Sequence, residues 1–278
     1  MNFWEKKAGK NANLLKVSAK IGKEEALMRE QLALCYRVAH HEKLNEGCDN
    51  HFSIMLKVDG YDALLTLPHG ILWCTAKPED FILCDFEGNI LRPSGRKDHA
   101  MYGHTYVPDI SAIKIHGKIH GMLGDGRAKA VFHTHQPYAS ALGAAKIGDD
   151  VLRQVHQNSC RFYGSVLNYR EFNGVVNNDD EGIHLGNQFL KKGNERKRVM
   201  LMRNHGIITI GPTAPQALMD LYFFEKAAQV QVMLMQMGQN LDNCVIDDAC
   251  AKETHEYIFR EKERMSTAVF NAWAKAGI

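Results

Sequence analysis

The chain opens on polar positions without periodicity and gains a regular apolar spacing only near residue 24. Residues 1–20 are rich in Lys and Asn and read as an arm. From Glu24 to Lys43, residues Ala26, Leu27, Leu32, Leu34, Cys35, Val38 and Ala39 recur at helical intervals and predict an amphipathic helix. The pattern then shortens. HFSIMLKV from His51 and ALLTL from Ala63 flank Asp59-Gly60, a pair that favours a hairpin turn. ILWCT from Ile71 and FILCDFEGNIL from Phe81 read as further short strands, divided by a turn around Lys77–Asp80. Ile110 to Leu123 predicts a helix that Asp125-Gly126 ends, and Ala130 to His135 predicts a short buried strand. Pro137 to Ala145 reads as a helix, Phe162 to Tyr169 as a strand, and Asn177–Glu181 as the capped start of another helix. Val199 to Met202 is a strand that Ile207 to Ile210 extends or joins. Thr213 to Met237 is a long amphipathic helix, and 246–275 a final one.

This order predicts an α/β fold of three layers, α/β/α, around a central mixed, largely antiparallel sheet. No repeat or proline-rich linker divides it. The expected organisation is therefore an arm over 1–20, one domain over 21–245, and a helical extension of the same domain over 246–278. With 45% hydrophobic residues in 278, the chain has material for a full core. The formal net charge of +2 gives no concentrated basic surface, so nucleic acid is not an expected partner. The short run Arg196-Lys197-Arg198 reads as a solvated turn before a strand. No apolar stretch has the length of a membrane span. The seven cysteines form no CxxC pair, and the first residues show no apolar run of signal-peptide length; both lead to an expected cytoplasmic location.

The fourteen histidines change the picture. In His133-Thr134-His135, at the end of an apolar strand, alternate side chains share a face, so two imidazoles can reach one ion without bending the backbone. A second motif, Arg203-Asn204-His205-Gly206, follows the apolar VMLM. Either motif alone is weak, but together, at two buried strand ends, they predict a divalent-metal site of His133, His135 and His205. Three neutral imidazoles with an open fourth position describe a catalytic site rather than a closed structural one.

AVFHTHQPYASAL followed by MLMRNHGIITIG resembles the class II aldolase/adducin family, as does NHFSIML followed by LTLPHGILWCT. The resemblance covers about Glu24 to Gly238. It implies an α/β/α fold, assembly as a homotetramer, and one divalent ion per subunit held by His133, His135 and His205. Zinc is the first expectation, with manganese, iron or cobalt as other ions the nitrogen set accepts. The family's substrate-binding segments match Asn50, His51 and Ser53 in one stretch and His69 and Gly70 in another. The acid/base glutamate of the sugar-phosphate aldolases falls at Ala112, four residues before His116, so that group is missing here. His116 and His120, one helical turn apart, are candidates to replace it. Tyr163 is a further catalytic candidate, because family members supply a tyrosine from a neighbouring subunit. Glu181, Glu225 and Gln229 read as capping, packing or surface groups.

The expected function is a metal-dependent carbon–carbon lyase, a decarboxylase or retro-aldolase of a small oxygenated, acidic substrate. Decarboxylation needs an electron sink rather than a base to begin, which suits a site without the glutamate. Two other readings stay open. One is a sugar-phosphate aldolase or dehydratase with a relocated acid/base. The other is a non-catalytic, adducin-like binding module.

Overall fold

The computed structural model describes residues 17, 18, 20–96, 106–145, 148, 150–174 and 179–278. The arm expected over 1–20 lies almost wholly outside them, as does Asn177 at the expected helix start.

Helix α1 spans Lys23–His41. The strands are β1 (His51–Val58), β2 (Tyr61–Thr66), β3 (Ile82–Asp85), β4 (Ile90–Arg92), β5 (Ala130–Thr134), β6 (Val166–Tyr169), β7 (Val199–Met202) and β8 (Gly206–Gly211). Helix α2 runs over 110–123 and contains a π-helical turn, Ile113–Gly117. A short turn, α3 (Asp125–Ala128), follows; α4 is Pro137–Ala144, α5 Asp180–Leu190, α6 Ala214–Gln236 and α7 Asp248–Lys275. The strands make one eight-stranded sheet in the order β4-β3-β2-β1-β5-β8-β7-β6. All neighbours are antiparallel except β6 and β7. This is the mixed, largely antiparallel sheet that the apolar pattern implies.

Helices cover both faces. Against one face, α1, α4 and α6 bury Phe52, Ile54, Leu56, Phe132 and Ile207. Against the other, α2 and α5 pack Ile115, Ile119, Leu185 and Phe189 onto Val131, Met200, Ile208 and Ile210. Strand alternation then decides where the polar residues of β1 go. With Phe52 and Ile54 on the first face, His51 and Ser53 must point to the second. Register places His51 opposite His133, and Ser53 opposite Val131. Helix α2 lies over that face, and its Gly117 lets it approach closely: a Cβ there would sit 2.6 Å from the Phe86 carbonyl oxygen.

Three local expectations are corrected. ILWCT is no strand; Trp73–Thr75 is a 3-10 turn, and Trp73 fills the core against Tyr36 and Phe52 at centroid distances of 4.5 and 4.7 Å. Phe162 ends a 3-10 segment, Gln157–Phe162, and only Val166–Tyr169 pairs as a strand. Apolar character marked both segments for burial, but burial does not require a ladder. The helix before β5 stops at Leu123, where Gly124 takes a φ of +71°, and Asp125-Gly126 begins the next turn instead of ending the last. Among the described residues, no helix is long and apolar enough to cross a membrane.

Candidate metal centre and its cavity

Three strand ends meet at one point. His133 lies in β5, His135 just beyond it, and His205 in the turn joining β7 to β8, with Thr134 of β5 paired to Ile207 of β8. Asn204 makes that turn in the left-handed region, with φ of +52°. Gly206 is required by space: a Cβ there would run into the Thr134 carbonyl oxygen and lie 3.0 Å from the His135 ring. The Asn-His-Gly motif therefore reflects a hairpin closing tightly on the strand that carries the other two histidines.

The three rings converge, with centroid separations of 4.8, 4.7 and 4.9 Å. One nitrogen from each lies within 4.8 Å of the other two. Hydrogen bonds on the far sides orient two of the rings. His133 Nδ1 donates to the Ile207 carbonyl at 3.0 Å, and His135 Nδ1 donates to the Glu46 carboxylate at 2.8 Å. Each ring thereby carries its proton on Nδ1, and the two Nε2 atoms face one another 3.0 Å apart. Two lone pairs at that separation repel unless a cation lies between them. Zinc–nitrogen bonds of about 2.0–2.1 Å in tetrahedral geometry bring ligand nitrogens to about 3.3 Å, close to this spacing. Burial, followed by the neighbouring rings of His205, His51 and His135, holds His133 well below its ordinary pKa. Burial, with His135 and His51, lowers His205 to about 4. Both rings are neutral at pH 7, the form a metal requires. The donor set fits a divalent ion of borderline softness.

A cavity of about 580 Å³ opens over the triad. Its wall includes His51, Ser111, Phe172 and Asn204, and its rim Glu46 and Asp49; no lysine or arginine lines it among the described residues.

The other residues singled out by sequence take different places. His116, His120 and Ser53 are fully buried beneath this wall and bonded to one another. Of the candidates on β1, His51 alone lines the cavity. Asn50 is buried, and its side-chain oxygen Oδ1 accepts from the backbone N–H of Glu46 at 2.8 Å and of His135 at 3.3 Å. Its amide nitrogen has no partner among the described residues. His69 and Gly70 do not line the cavity: His69 is exposed and pairs with Asp49 of the rim at 3.3 Å, while Gly70 turns the chain with φ of +92°. Tyr163 is bonded through its hydroxyl to Asp248 of α7 at 2.8 Å, outside the cavity wall. Ala112 is completely buried and does not line the cavity. Glu225 caps α4, accepting from the backbone of Tyr138 and Ala139, each at 2.9 Å. Glu181 bonds Asn173 at 2.9 Å, and Gln229 reaches the Tyr138 hydroxyl at 3.4 Å.

Two groups escaped the sequence reading of the site. Glu46 orients His135 from 89 positions away, a pairing without any local signal. Asp109 directly follows Pro108. The structure adds its work: it caps α2 through Ser111 N at 2.7 Å and Ala112 N at 3.2 Å, and it accepts the Ser111 hydroxyl. Burial alone would raise the Asp109 pKa, but the nearby His51 and these hydrogen bonds outweigh it and hold the carboxyl below its usual value.

Fold and site together define a class: a three-layer α/β/α subunit with an imidazole triad at the ends of adjacent antiparallel strands. The chain belongs to the class II aldolase and adducin family, since residues 30–232 match the Class II Aldolase and Adducin N-terminal domain. Its relatives divide between the two halves of that name. It is 28% identical over 209 residues to the adducin-related protein C1289.14 of Schizosaccharomyces pombe, covering 75% of this chain and 59% of that protein. It is 23% identical to a putative aldolase class 2 protein of Caulobacter vibrioides, covering 86% and 84%. Against alpha-adducin of Rattus norvegicus the identity is 24%, and the match spans 81% of this chain but only 28% of that protein. Among solved structures, an aldolase II superfamily protein from Pseudomonas syringae superposes with a TM-score of 0.75 at 24% identity, covering 93% and 96% of the two chains. L-fuculose 1-phosphate aldolase from Glaciozyma antarctica gives 0.73 at 21% identity, covering 95% and 96%. These likenesses establish the fold.

Proposed function

We propose that this chain is a divalent-metal-dependent carbon–carbon lyase, of decarboxylase or retro-aldol type, acting on a small oxygenated acid. The observation that carries the reading is the pair of Nε2 lone pairs of His133 and His135 facing each other at 3.0 Å, with His205 beside them and a cavity above. A divalent ion held there would polarise substrate oxygens and stabilise negative charge developing on them. The residues around it have separable tasks. Ile207 O and Glu46 fix the two ring orientations, as outer partners of metal-binding histidines commonly do. Phe172 covers one side of the cavity, and His51 and Ser111 form its polar wall. Among the described residues no lysine or arginine lines the wall, so within that set substrate negative charge falls to the cation. That favours a small hydroxy acid over a phosphorylated sugar, whose phosphate typically draws on arginine, lysine or backbone N–H groups. Ala112 carries no acid/base group at the position where the sugar-phosphate aldolases have their glutamate, which suits a decarboxylation that begins by breaking a carbon–carbon bond.

The test is elemental analysis of the purified chain, then a screen of hydroxy acids and sugar phosphates for carbon dioxide or aldehyde release. About one tightly bound ion per chain with turnover that a chelator abolishes is the expected result. A chain without metal that turns over none of these compounds would instead be a binding module of the adducin type. The same preparation tests the homotetramer we propose, by light scattering.

A further inference from the structure

Behind the cavity wall a single file of buried side chains crosses the space between β1, α2 and β5. His120 Nδ1 lies 2.6 Å from the Ala128 carbonyl oxygen. His120 Nε2 lies 2.7 Å from Ser53 Oγ, which lies 2.7 Å from His116 Nδ1. His116 Nε2 lies 2.9 Å from His51 Nδ1, and His51 Nε2 lies 3.1 Å from Ser111 Oγ at the cavity. Ser111 also reaches the Asp109 carboxylate.

The direction of every bond follows from the first. A carbonyl oxygen only accepts, so His120 carries its proton on Nδ1. Its Nε2 must then accept from the Ser53 hydroxyl at 2.7 Å, since the hydroxyl's other acceptor, the Val131 carbonyl oxygen, is far longer at 3.4 Å and would leave the His120 lone pair without a donor. With its one proton committed, Ser53 accepts from His116 Nδ1. His116 Nε2 in turn accepts from His51 Nδ1. Burial supports neutral rings along this file, lowering His116 well below its ordinary pKa and His120 to about 4.

We infer that Ser53, His116 and His120 are positioning residues that lock His51 in the Nδ1–H tautomer and leave its Nε2 lone pair at the cavity wall. Ser111 has one hydroxyl proton and two acceptors, and the ionised Asp109 is the stronger. The file therefore has one link without a proton, between His51 and Ser111. Reversing every bond would fill that link, but it would set the His120 Nδ1 lone pair against the Ala128 oxygen at 2.6 Å in a dry site. The mismatch falls instead on the longest link, where the cavity admits water or a substrate O–H. His116 and His120 thus act through His51 and do not themselves reach the reacting atoms.

The inference deepens the proposed function but has a readout independent of it. Imidazole ¹⁵N spectra of the full chain, with zinc added and with zinc stripped, report which nitrogen of each ring is protonated. We expect Nδ1–H for His51, His116 and His120, each favoured by roughly fivefold or more through its buried hydrogen bond. His120→Phe removes the anchor while keeping a ring in place against Phe86. The Ser53 hydroxyl is then left with His116 Nδ1 at 2.7 Å and the Val131 carbonyl oxygen at 3.4 Å; the shorter bond should win and the file reverse, with His51 Nε2–H as the major form. Ser53→Ala breaks the file without removing a ring and should leave His51 a mixture of tautomers. A wild-type His51 protonated on Nε2, or a His51 tautomer unmoved in both variants, overturns the proposal. If lyase turnover is found, His120→Phe should also lower kcat about tenfold or more with metal content and KM little changed, as expected for a misdirected base. Absence of turnover in the wild type would defeat the lyase reading and leave the tautomer result standing.

Discussion

Two groups of three histidines sit side by side on one face of the sheet, and they differ in how many of their nitrogens are used. In the closed group, His51, His116 and His120, every ring nitrogen faces a protein partner. In the open group, His133, His135 and His205, the outer nitrogens of two rings are taken and the inner ones face each other around a shared point. The groups touch, with His51 and His133 at 5.0 Å between centroids. Residue type and burial are therefore poor guides to which histidines hold an ion. Saturation of hydrogen bonds separates them, because a ring whose lone pair already has a donor has none left for a cation.

Removing one ring of the open group is the strongest way to break this contrast. For His205→Ala, metal content should fall from about one ion per chain to a small fraction, a loss of roughly a hundredfold or more in affinity, since two imidazoles remain where three are needed. His116→Ala should leave metal content unchanged while lowering stability, because it empties a fully buried site. Equal metal retention in the two variants would mean that the open group binds no ion.

Acid should distinguish the closed group next. Burial lowers the His120 pKa to about 4, below the unfolded value near 6.5, so the unfolded chain binds a proton that the folded chain refuses. Stability from this residue is complete above pH 6.5 and is lost as the pH falls toward 4. The loss should be on the order of 3 kcal/mol over that window. Urea unfolding of metal-free protein at pH 7 and at pH 4.5 gives the total loss, to which the buried His51, His116, His133 and His205 also contribute, and His120→Phe should reduce that total by the His120 share. An unchanged slope in that variant would place the acid sensitivity elsewhere.

A gentler perturbation leaves the three proposed metal ligands intact and touches only their support. Glu46 is largely exposed, yet it holds the Nδ1 proton of His135. Glu46→Gln keeps an acceptor but removes its charge. Metal affinity should fall about tenfold, the lower end for outer partners of metal-binding histidines, because solvent already screens this carboxylate. Competition with a chromogenic chelator reads the change directly.

How much of this was legible in the sequence follows from the range of each interaction. Apolar spacing gave the helices and most strands because it reports local burial, and the hairpin at Asp59-Gly60 followed from turn chemistry. The open group was legible because each of its motifs is local: two histidines on one strand face, and one before a glycine that must be small. The segments Trp73–Thr75 and Gln157–Phe162 misled because apolar 3-10 turns and apolar strands look alike in one dimension. The closed group was half visible. Spacing placed His116 and His120 on one face of a helix, but nothing local reveals that Ser53, more than sixty positions earlier, consumes a nitrogen of each. Nor does any pattern announce Glu46 or the Ser111–Asp109 contact as parts of the site, since register across the sheet and the cap of α2 bring them there.

The smallest expected effect concerns Tyr163, the aromatic that family resemblance brings forward as a catalytic candidate. Within its own chain the hydroxyl is an exposed donor to Asp248 at 2.8 Å, and that bond and charge hold its proton on above the ordinary pKa. A phenol held this way is a poor proton donor unless Asp248 is displaced. Tyr163→Phe removes one solvent-exposed hydrogen bond, so unfolding stability should be nearly unchanged. Metal content should not change, and any lyase turnover should stay within about twofold, because neither histidine group touches this residue. A large fall in kcat at unaltered melting temperature would give the opposite answer: that the Asp248 bond opens in the assembled protein and Tyr163 serves a neighbouring subunit's cavity. Asp248→Asn sharpens the comparison, since it keeps the hydrogen bond geometry while removing the charge. If Tyr163 acts only within its own subunit, both substitutions should be nearly silent; if it donates across an interface, only the tyrosine change should cost activity.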